Sequence, residues 1–186
     1  MQSYHEFLSE VLIPKKELQD RIQALGDEIS QDYAGQDLHM ICILRGGVMF
    51  LTDLMRVITV PHSIDFMAIS SYGVGVRQAS GHIRLTMDLR DDIQGRNVLL
   101  VEDIVDSGYT LQYLYRIFGA RQPASLRTAV LLSKPDRHEV EVGIDYLGFQ
   151  IPDVWVVGYG LDYADRFRTL PYIGLLKSSV YEEEDD

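Results

Sequence analysis

The chain contains little cysteine and tryptophan, with one of each among 186 residues, and no long apolar run. A single cysteine cannot form a disulfide within the chain. Cys42 lies in the apolar run Met40–Leu44, which is typical of a buried structural thiol and not of a nucleophile. No apolar stretch approaches the length of a membrane span, and no charged leader followed by an apolar stretch opens the sequence. We therefore expect a cytoplasmic protein.

Basic residues are also scarce. Lys and Arg number 17 against 28 Asp and Glu, which gives a formal net charge of −11. This balance argues against a surface that binds nucleic acid through its phosphates. An anionic small substrate would need local basic groups and backbone N–H donors. The histidines show no metal-ligand spacing; they are His5, His39, His62, His82 and His138.

The hydrophobic pattern predicts one α/β domain with a mostly parallel sheet. After Pro14, apolar residues recur at helical spacing up to about Gly35, and the strand Leu38–Leu44, a turn at Arg45–Gly47 and a helix over Val48–Ile58 follow. This order favours parallel strands. A long loop, of the kind that often forms a lid, is predicted at Ser71–Gly81. The remaining predicted elements are strands at Ser63–Ser70, Ile83–Leu89, Asn97–Val101, Leu126–Ser133 and Val154–Gly158, and a helix at Leu111–Phe118.

The most informative segment is Val98–Thr110. Its four apolar residues predict a buried strand that opens onto Glu102, Asp103 and Asp106, and Ser107 and Gly108 then precede a helix. Ligands of open α/β sheets bind beyond the carboxyl ends of the strands. The start of the following helix suits an anion, and the acids suit hydroxyls or a metal, so the segment indicates a sugar phosphate.

The alternative interpretation of this segment is an ordinary helix start. Asp106 or Ser107 would then be the N-cap of the helix. Capping needs only one short polar residue, however. It leaves Glu102 and Asp103 unexplained at the end of an apolar strand, where an unpaired carboxylate is costly.

The residues Val101–Thr110 resemble the phosphoribosyl-pyrophosphate (PRPP) motif of type I phosphoribosyltransferases: two acids, two apolar residues, then Asp-Ser/Thr-Gly-x-Thr. Within that family the chain resembles the hypoxanthine-guanine phosphoribosyltransferases in particular. Further segments in that family's order are Leu44–Gly47, Ser71–Gly73, Lys134–Pro135, Ile151–Asp153, Val157–Tyr163 and Phe167–Arg168. The resemblance implies the type I phosphoribosyltransferase fold: a central, mostly parallel sheet flanked by helices, with a core at roughly 15–150. It also implies a small hood formed by the N-terminal segment and roughly 150–180, so that residues 1–186 are one domain.

The resemblance also implies an activity, the Mg²⁺-dependent transfer of phosphoribosyl from PRPP to hypoxanthine or guanine. The products are IMP or GMP and pyrophosphate, and xanthine is a further candidate substrate. Positive charge grows on the ribose and negative charge on the leaving group in the transition state, and the enzyme must stabilise both. Mg²⁺ would neutralise the leaving group. A homodimer or homotetramer is implied as well, with neither a nucleic-acid nor a membrane partner.

For the PRPP half of the site, the resemblance implies that Glu102 and Asp103 hold the ribose hydroxyls, directly or through the metal, and that Asp162 also contacts the metal. Adjacent strand residues point to opposite faces, so at least one acid of the pair should lie where the strand opens into a loop. The remaining implied residues are Ser107, Gly108, Tyr109 and Thr110 for the 5′-phosphate, and Arg45, Gly46 and Arg168 for pyrophosphate. A cis peptide is implied between Leu44 and Arg45. The family commonly has lysine at the position of Arg45.

For the purine half, Asp106 is implied as the general base for the N7 proton, with a helix cap that acts electrostatically as the alternative. Lys134 would donate to the 6-oxo group and oppose the 6-amino group of adenine. Trp155 would stack on the base, and Val156 would offer backbone hydrogen bonds. The backbone at Asp162 would lie near the purine 2-substituent. Ser71 and Tyr72 would belong to a lid that excludes water.

Two other functions remain open. A nucleic-acid-binding regulator on the same fold would need a basic face or an added DNA-binding domain. A phosphoribosyltransferase for another base, adenine, uracil or orotate, would conflict with Lys134 and Trp155.

Overall fold

The computed structural model describes residues 4–71 and 83–181. The strands within these residues are β1 (Leu8–Ile13), β2 (Leu38–Leu44), β3 (His62–Ser71), β4 (Ile83–Met87), β5 (Asn97–Val105), β6 (Ser125–Ser133), β7 (Tyr146–Gln150), β8 (Val156–Val157) and β9 (Ile173–Leu176). The α-helices are α1 (Lys15–Asp32), α2 (Val48–Val57), α3 (Tyr109–Gly119) and α4 (Ser178–Tyr181), and short 3₁₀ helices cover Tyr4–Phe7 and Pro135–Arg137.

A six-stranded sheet forms the centre of the described residues, in the order β4-β3-β2-β5-β6-β7. All of its pairings are parallel except that between β3 and β4. β2 and β5 are buried on both faces, which explains their continuous apolar runs. Helices α1 and α2 pack on one face, around Met40 and Leu99, and α3 packs on the other, around Ile41 and Leu100. The predicted α/β fold with a central, mostly parallel sheet is confirmed.

The structure corrects several predicted elements. β5 continues to Val105 instead of ending at Val101, because β6 pairs with it as far as Val105. β4 is antiparallel to its neighbour, and the strand predicted at Val154–Gly158 is reduced to the two residues of β8. β7 was not predicted, because Gly148 interrupts a short segment without β-branched residues. That glycine is needed for close packing: a Cβ there would collide with the carbonyl oxygen of Leu131.

A second, antiparallel sheet has the order β1-β9-β8 and joins the two ends of the described chain. Its strands come from the segments in which the hood is expected. Leu8, Val157, Phe167 and Leu176 form its buried cluster. β1 and β9 were not predicted, because each is stabilised by a partner from the opposite end of the chain.

Two composition-based expectations can be compared with this fold. Cys42 is fully buried on β2, and burial raises the pKa of its thiol to about 12, which agrees with a structural role. No α-helix in the described ranges has the length and apolar character needed to cross a membrane.

Candidate active site

The loops that follow β2, β5 and β6 meet at one edge of the central sheet. The three strands are parallel neighbours, with Cys42 paired to Val101 and Val105 paired to Ser133. Their carboxyl ends therefore lie side by side. The backbone N–H of Lys134 donates to the carbonyl of Val105 at 2.9 Å, which places the predicted purine-binding lysine beside the PRPP motif.

Glu102 and Asp103 both lie on β5, not in a loop. β5 pairs with β2 only as far as Val101 but with β6 as far as Val105. The two acids therefore lie in the part of β5 that no longer pairs with β2. Glu102 is 8% exposed, and its Oε2 is buried with no hydrogen-bond partner among the residues that the structure describes. Burial raises the pKa of Glu102 well above its ordinary value, and the adjacent Asp103 raises it further. Burial also raises the pKa of Asp103, although the N–H of Ile104 donates to its carboxylate at 3.0 Å.

The turn after β2 packs tightly against two other segments. A Cβ on Gly46 would collide with Oδ2 of Asp103, so the Asp103 carboxylate lies directly against the Gly46 backbone. A Cβ on Gly160, whose φ is +102°, would in turn collide with the carbonyl oxygen of Gly46. Gly160 therefore requires glycine, whereas a side chain at Gly46 would displace the Asp103 carboxylate. The peptide bond between Leu44 and Arg45 is cis, which confirms that expectation.

Helix α3 begins without a side-chain cap. Its N-cap is Gly108, in the left-handed region at φ +89°, and neither Asp106 nor Ser107 caps the helix, so that interpretation was wrong. The Asp106 carboxylate is engaged by Arg137 instead. A cavity of about 240 Å³ adjoins the helix start, and its described lining comes from this segment alone: Glu102, Asp103, Ile104, Val105, Asp106, Ser107, Gly108, Thr110 and Leu111. The uncapped first turn and the cavity together suit a phosphate group.

Asp106 and Lys134 belong to one network of alternating charges. Nε of Arg137 donates to Oδ1 of Asp106 at 3.0 Å, and Nζ of Lys134 lies 3.9 Å from Oδ2 of the same carboxylate. Oδ1 of Asp153 lies 3.8 Å from both cations. The hydrogen bond to Asp106 raises the pKa of Arg137. Arg137 and Asp153 were not predicted as site residues, although Asp153 lies in a segment that carries the family resemblance.

Arg45 and Arg168 contact the same carboxylate. Nη2 of Arg45 lies 2.8 Å from Oδ1 of Asp165, and Nη2 of Arg168 lies 3.2 Å from it. Arg168 also contacts Oδ1 of Asp162 at 2.7 Å and donates from Nη1 to the carbonyl of Gly160 at 2.8 Å. The two arginines predicted to bind pyrophosphate are thus brought together. Asp165 was not predicted, because nothing in the local sequence distinguishes it from an exposed loop residue.

The three predicted metal ligands do not form one cluster. Asp162 is paired with Arg168, whereas Glu102 and Asp103 lie on β5. Within residues 4–71 and 83–181, no three His, Cys, Asp or Glu side chains are grouped so that they could hold a metal. The buried, unpaired oxygen of Glu102 and the adjacent Asp103 nevertheless fit a hard cation that takes most of its ligands from substrate and water.

Trp155 immediately precedes β8 and packs against two tyrosines from outside the second sheet. Its ring is 5.6 Å from that of Tyr181, tilted by 34°, and 6.0 Å from that of Tyr163, edge-on at 85°. Val156 is buried on β8, beside it. Asp153, two residues before Trp155, contacts Lys134, which connects this segment to the end of β6. Of the predicted lid residues, Ser71 ends β3 and Tyr72 lies outside the described residues.

The architecture and this set of residues agree with a known family. Residues 14–164 match the family described as the phosphoribosyl transferase domain. The chain belongs to the phosphoribosyltransferase family. The match spans the turn after β2, the PRPP motif and Lys134, so it contains most of the site described above.

Individual relatives indicate which members of the family this phosphoribosyltransferase is similar to. It is 50% identical over 181 residues to the hypoxanthine-guanine phosphoribosyltransferase of Mycobacterium tuberculosis (strain CDC 1551 / Oshkosh), which covers 94% of this chain and 89% of the relative. It is 47% identical to the enzyme of that name from Dictyostelium discoideum, covering 94% and 98%. A crystal structure of a hypoxanthine phosphoribosyltransferase from Staphylococcus aureus superposes with a TM-score of 0.92 at 41% identity, covering 97% and 98%. The predicted family and enzyme class are confirmed.

Proposed function

We propose that this phosphoribosyltransferase transfers the 5-phosphoribosyl group of PRPP to hypoxanthine and guanine, forming IMP and GMP and releasing pyrophosphate, with xanthine as a further substrate. The observation that carries the proposal is the single charge network of Asp106 and Lys134 beside an uncapped helix start. The network suits a 6-oxopurine, and the helix start suits a sugar phosphate. Relatives near 50% identity bear the name of this activity.

PRPP would bind across the carboxyl ends of β2 and β5. The backbone N–H groups of residues 107–110 and the hydroxyls of Ser107 and Thr110 would hold the 5′-phosphate at the start of α3. Glu102 and Asp103 would accept hydrogen bonds from the ribose hydroxyls, which would satisfy the unpaired Oε2 of Glu102. The Gly46 backbone and the guanidinium groups of Arg45 and Arg168 would bind the pyrophosphate as it gains negative charge.

The purine would lie between the end of β6 and the second sheet. Lys134 has only donors to offer, so it would hold the 6-oxo group and disfavour a 6-amino group. Trp155 would stack on the ring, and the backbone of Val156 would bind its edge.

In the reaction a ring nitrogen of the purine forms the bond to ribose C1 as the bond from C1 to the pyrophosphate oxygen breaks. The proton lost from N7 would pass to the Asp106 carboxylate.

Mg²⁺ is part of this proposal. Glu102 and Asp103 would be its protein contacts, with Asp162 as a further ligand if its pairing with Arg168 opens. The ion would neutralise negative charge on the leaving pyrophosphate. The protein supplies few ligands in this arrangement, which suits a cation that keeps substrate oxygens and water in its coordination shell.

The proposal also includes an assembly and a cellular location. We infer a homodimer or homotetramer from the family resemblance, which sedimentation of the 21.2 kDa chain would test. We infer a cytoplasmic location because the single cysteine, Cys42, cannot form a disulfide within the chain, as is usual for proteins of reducing compartments.

The deciding experiment is a steady-state assay with PRPP, Mg²⁺ and each of hypoxanthine, guanine, xanthine and adenine. Turnover is expected with hypoxanthine and guanine and not with adenine, and a chelator should abolish it. The intrinsic fluorescence of Trp155, the sole tryptophan, provides a separate readout of purine binding. Turnover with adenine alone, or undiminished turnover in the presence of chelator, would contradict the proposal.

A further inference from the structure

Asp165 lies between Arg45 and Arg168, the two arginines that would bind pyrophosphate in the proposed function. Its Oδ1 lies 2.8 Å from Nη2 of Arg45 and 3.2 Å from Nη2 of Arg168. Guanidinium groups bind carboxylate and phosphate oxygens with the same donors and similar geometry. A pyrophosphate that uses both arginines must therefore compete with Asp165 for them.

The backbone holds Asp165 in this place. Ala164 and Asp165 are both in the left-handed region, at φ 50° and φ 59°, a conformation that aspartate and asparagine tolerate better than most residues. The backbone N–H of Asp165 donates to Oδ2 of Asp162 at 2.8 Å. Hydrogen bonding to Arg168 and the charge of Arg45 lower the pKa of Asp165 below its ordinary value, so its carboxylate is charged at neutral pH.

Solvent reaches the contact, so a ligand can displace it. The side chains of Arg45 and Asp165 are 67% and 60% exposed, and exposed ion pairs of this kind are weak. Arg168 is less exposed, at 22%, and its Nη2 also contacts Oδ1 of Asp162 at 2.7 Å. The Asp165 carboxylate therefore occupies Arg45 and Arg168 weakly and reversibly.

We propose that Asp165 is an internal competitor in the pyrophosphate subsite: its carboxylate occupies Arg45 and Arg168 until the pyrophosphate group of PRPP displaces it, and reoccupies them as pyrophosphate leaves. This inference rests on the proposed function. It predicts that Asp165 weakens the binding of ligands that carry pyrophosphate and leaves the binding of the purine and of the nucleotide monophosphate unchanged. Asp165 thereby lowers the affinity for PRPP and pyrophosphate relative to the affinity for the purine and the nucleotide.

The variant Asp165→Asn tests this, because asparagine keeps the shape and tolerates the left-handed backbone while removing the charge. We expect the KM for PRPP and the inhibition constant of magnesium pyrophosphate to fall about two- to fivefold, the range that exposed ion pairs carry. The KM for hypoxanthine and the inhibition constant of GMP should not change. The control Asp20→Asn removes an equal charge from an exposed pair with Lys16 on α1, and it should change none of these constants.

A double-mutant cycle with Arg45→Gln separates direct competition from a general charge effect. If Asp165 competes for Arg45, the gain from Asp165→Asn shrinks when Arg45 is absent, and an undiminished gain would overturn the proposal. An unchanged or raised inhibition constant for pyrophosphate in Asp165→Asn would also overturn it, because Asp165 would then organise the arginines and not compete for them. If the unaltered protein neither turns over PRPP nor binds magnesium pyrophosphate, the proposed function fails together with this inference.

Discussion

Asp106 contacts a cation at each of its carboxylate oxygens. Arg137 donates to Oδ1 at 3.0 Å, and the ammonium of Lys134 lies 3.9 Å from Oδ2. These contacts orient the carboxylate at the position from which it would accept a proton. A carboxylate is a weak base at neutral pH, so geometry must supply most of its effect. Asp106 does not cap α3, because the N-cap of that helix is Gly108.

Asp106→Asn should lower kcat about 100-fold or more while the KM for PRPP changes little, because the amide keeps the shape of the side chain and cannot accept the proton. Steady-state kinetics with each substrate varied in turn measures this split. Turnover that stays at the level of the unaltered enzyme would refute the assignment of Asp106 as the base.

Lys134→Ala should reduce kcat/KM for hypoxanthine about 10- to 100-fold, the effect of losing a hydrogen bond from a charged donor, with little change in the KM for PRPP. Titration of Trp155 fluorescence with guanine should show the same weakening. Lys134→Arg, which keeps the charge between Asp106 and Asp153, is the matched control for folding. If affinities for purine and PRPP fall together, Lys134 serves the structure or the phosphate and not the base.

At the scale of elements, the junction of β5 and α3 forms the PRPP half of the site. β5 continues past its last pairing with β2, which presents Glu102 and Asp103 beside the turn after β2. Helix α3 then starts at a left-handed glycine, which has no side chain to cap the first N–H groups. Both features depend on neighbouring strands and loops, and they leave polar groups free for a substrate.

Gly108→Ala should raise the KM for PRPP several-fold and lower the free energy of unfolding by about 1–2 kcal/mol, because φ at this position is +89°. Its Cβ would also lie 3.0 Å from Cγ2 of Val140. Gly119→Ala is the matched control in the same helix, since a Cβ there meets nothing within 4 Å, and it should leave KM unchanged and stability equal or slightly higher. Urea denaturation and PRPP kinetics give the two readouts. A normal KM for PRPP in Gly108→Ala would show that the start of α3 does not hold the phosphate.

At the scale of the whole molecule, the net charge of −11 argues against a nucleic-acid-binding regulator on the same fold. We expect no binding to single- or double-stranded RNA or DNA in filter-binding assays at low salt, because the protein repels the phosphate backbone. A basic nucleic-acid-binding protein serves as the positive control. Binding that weakens steadily with rising salt would revive the regulator hypothesis.

The sequence predicted the core elements well and the surroundings of the site poorly. β2 has the predicted bounds, and α1 and α2 lie where periodicity indicated, because a long apolar run or a regular apolar stripe is a local property. The end of β5 was predicted four residues early, since the pairing partner that extends it lies on β6. β1 and β9 escaped prediction for the same reason, as each depends on a strand from the other end of the chain.

By itself, the sequence determined the α/β class, the succession of core strands and helices along the chain, and the family. Each of these depends on residues close together along the chain. Tertiary structure alone decided that Asp106 meets Arg137 and that Asp165 meets Arg45. These contacts join segments that are separated along the chain. They depend on the register of the parallel strands and on how the Gly160 segment after β8 packs against the turn at Gly46.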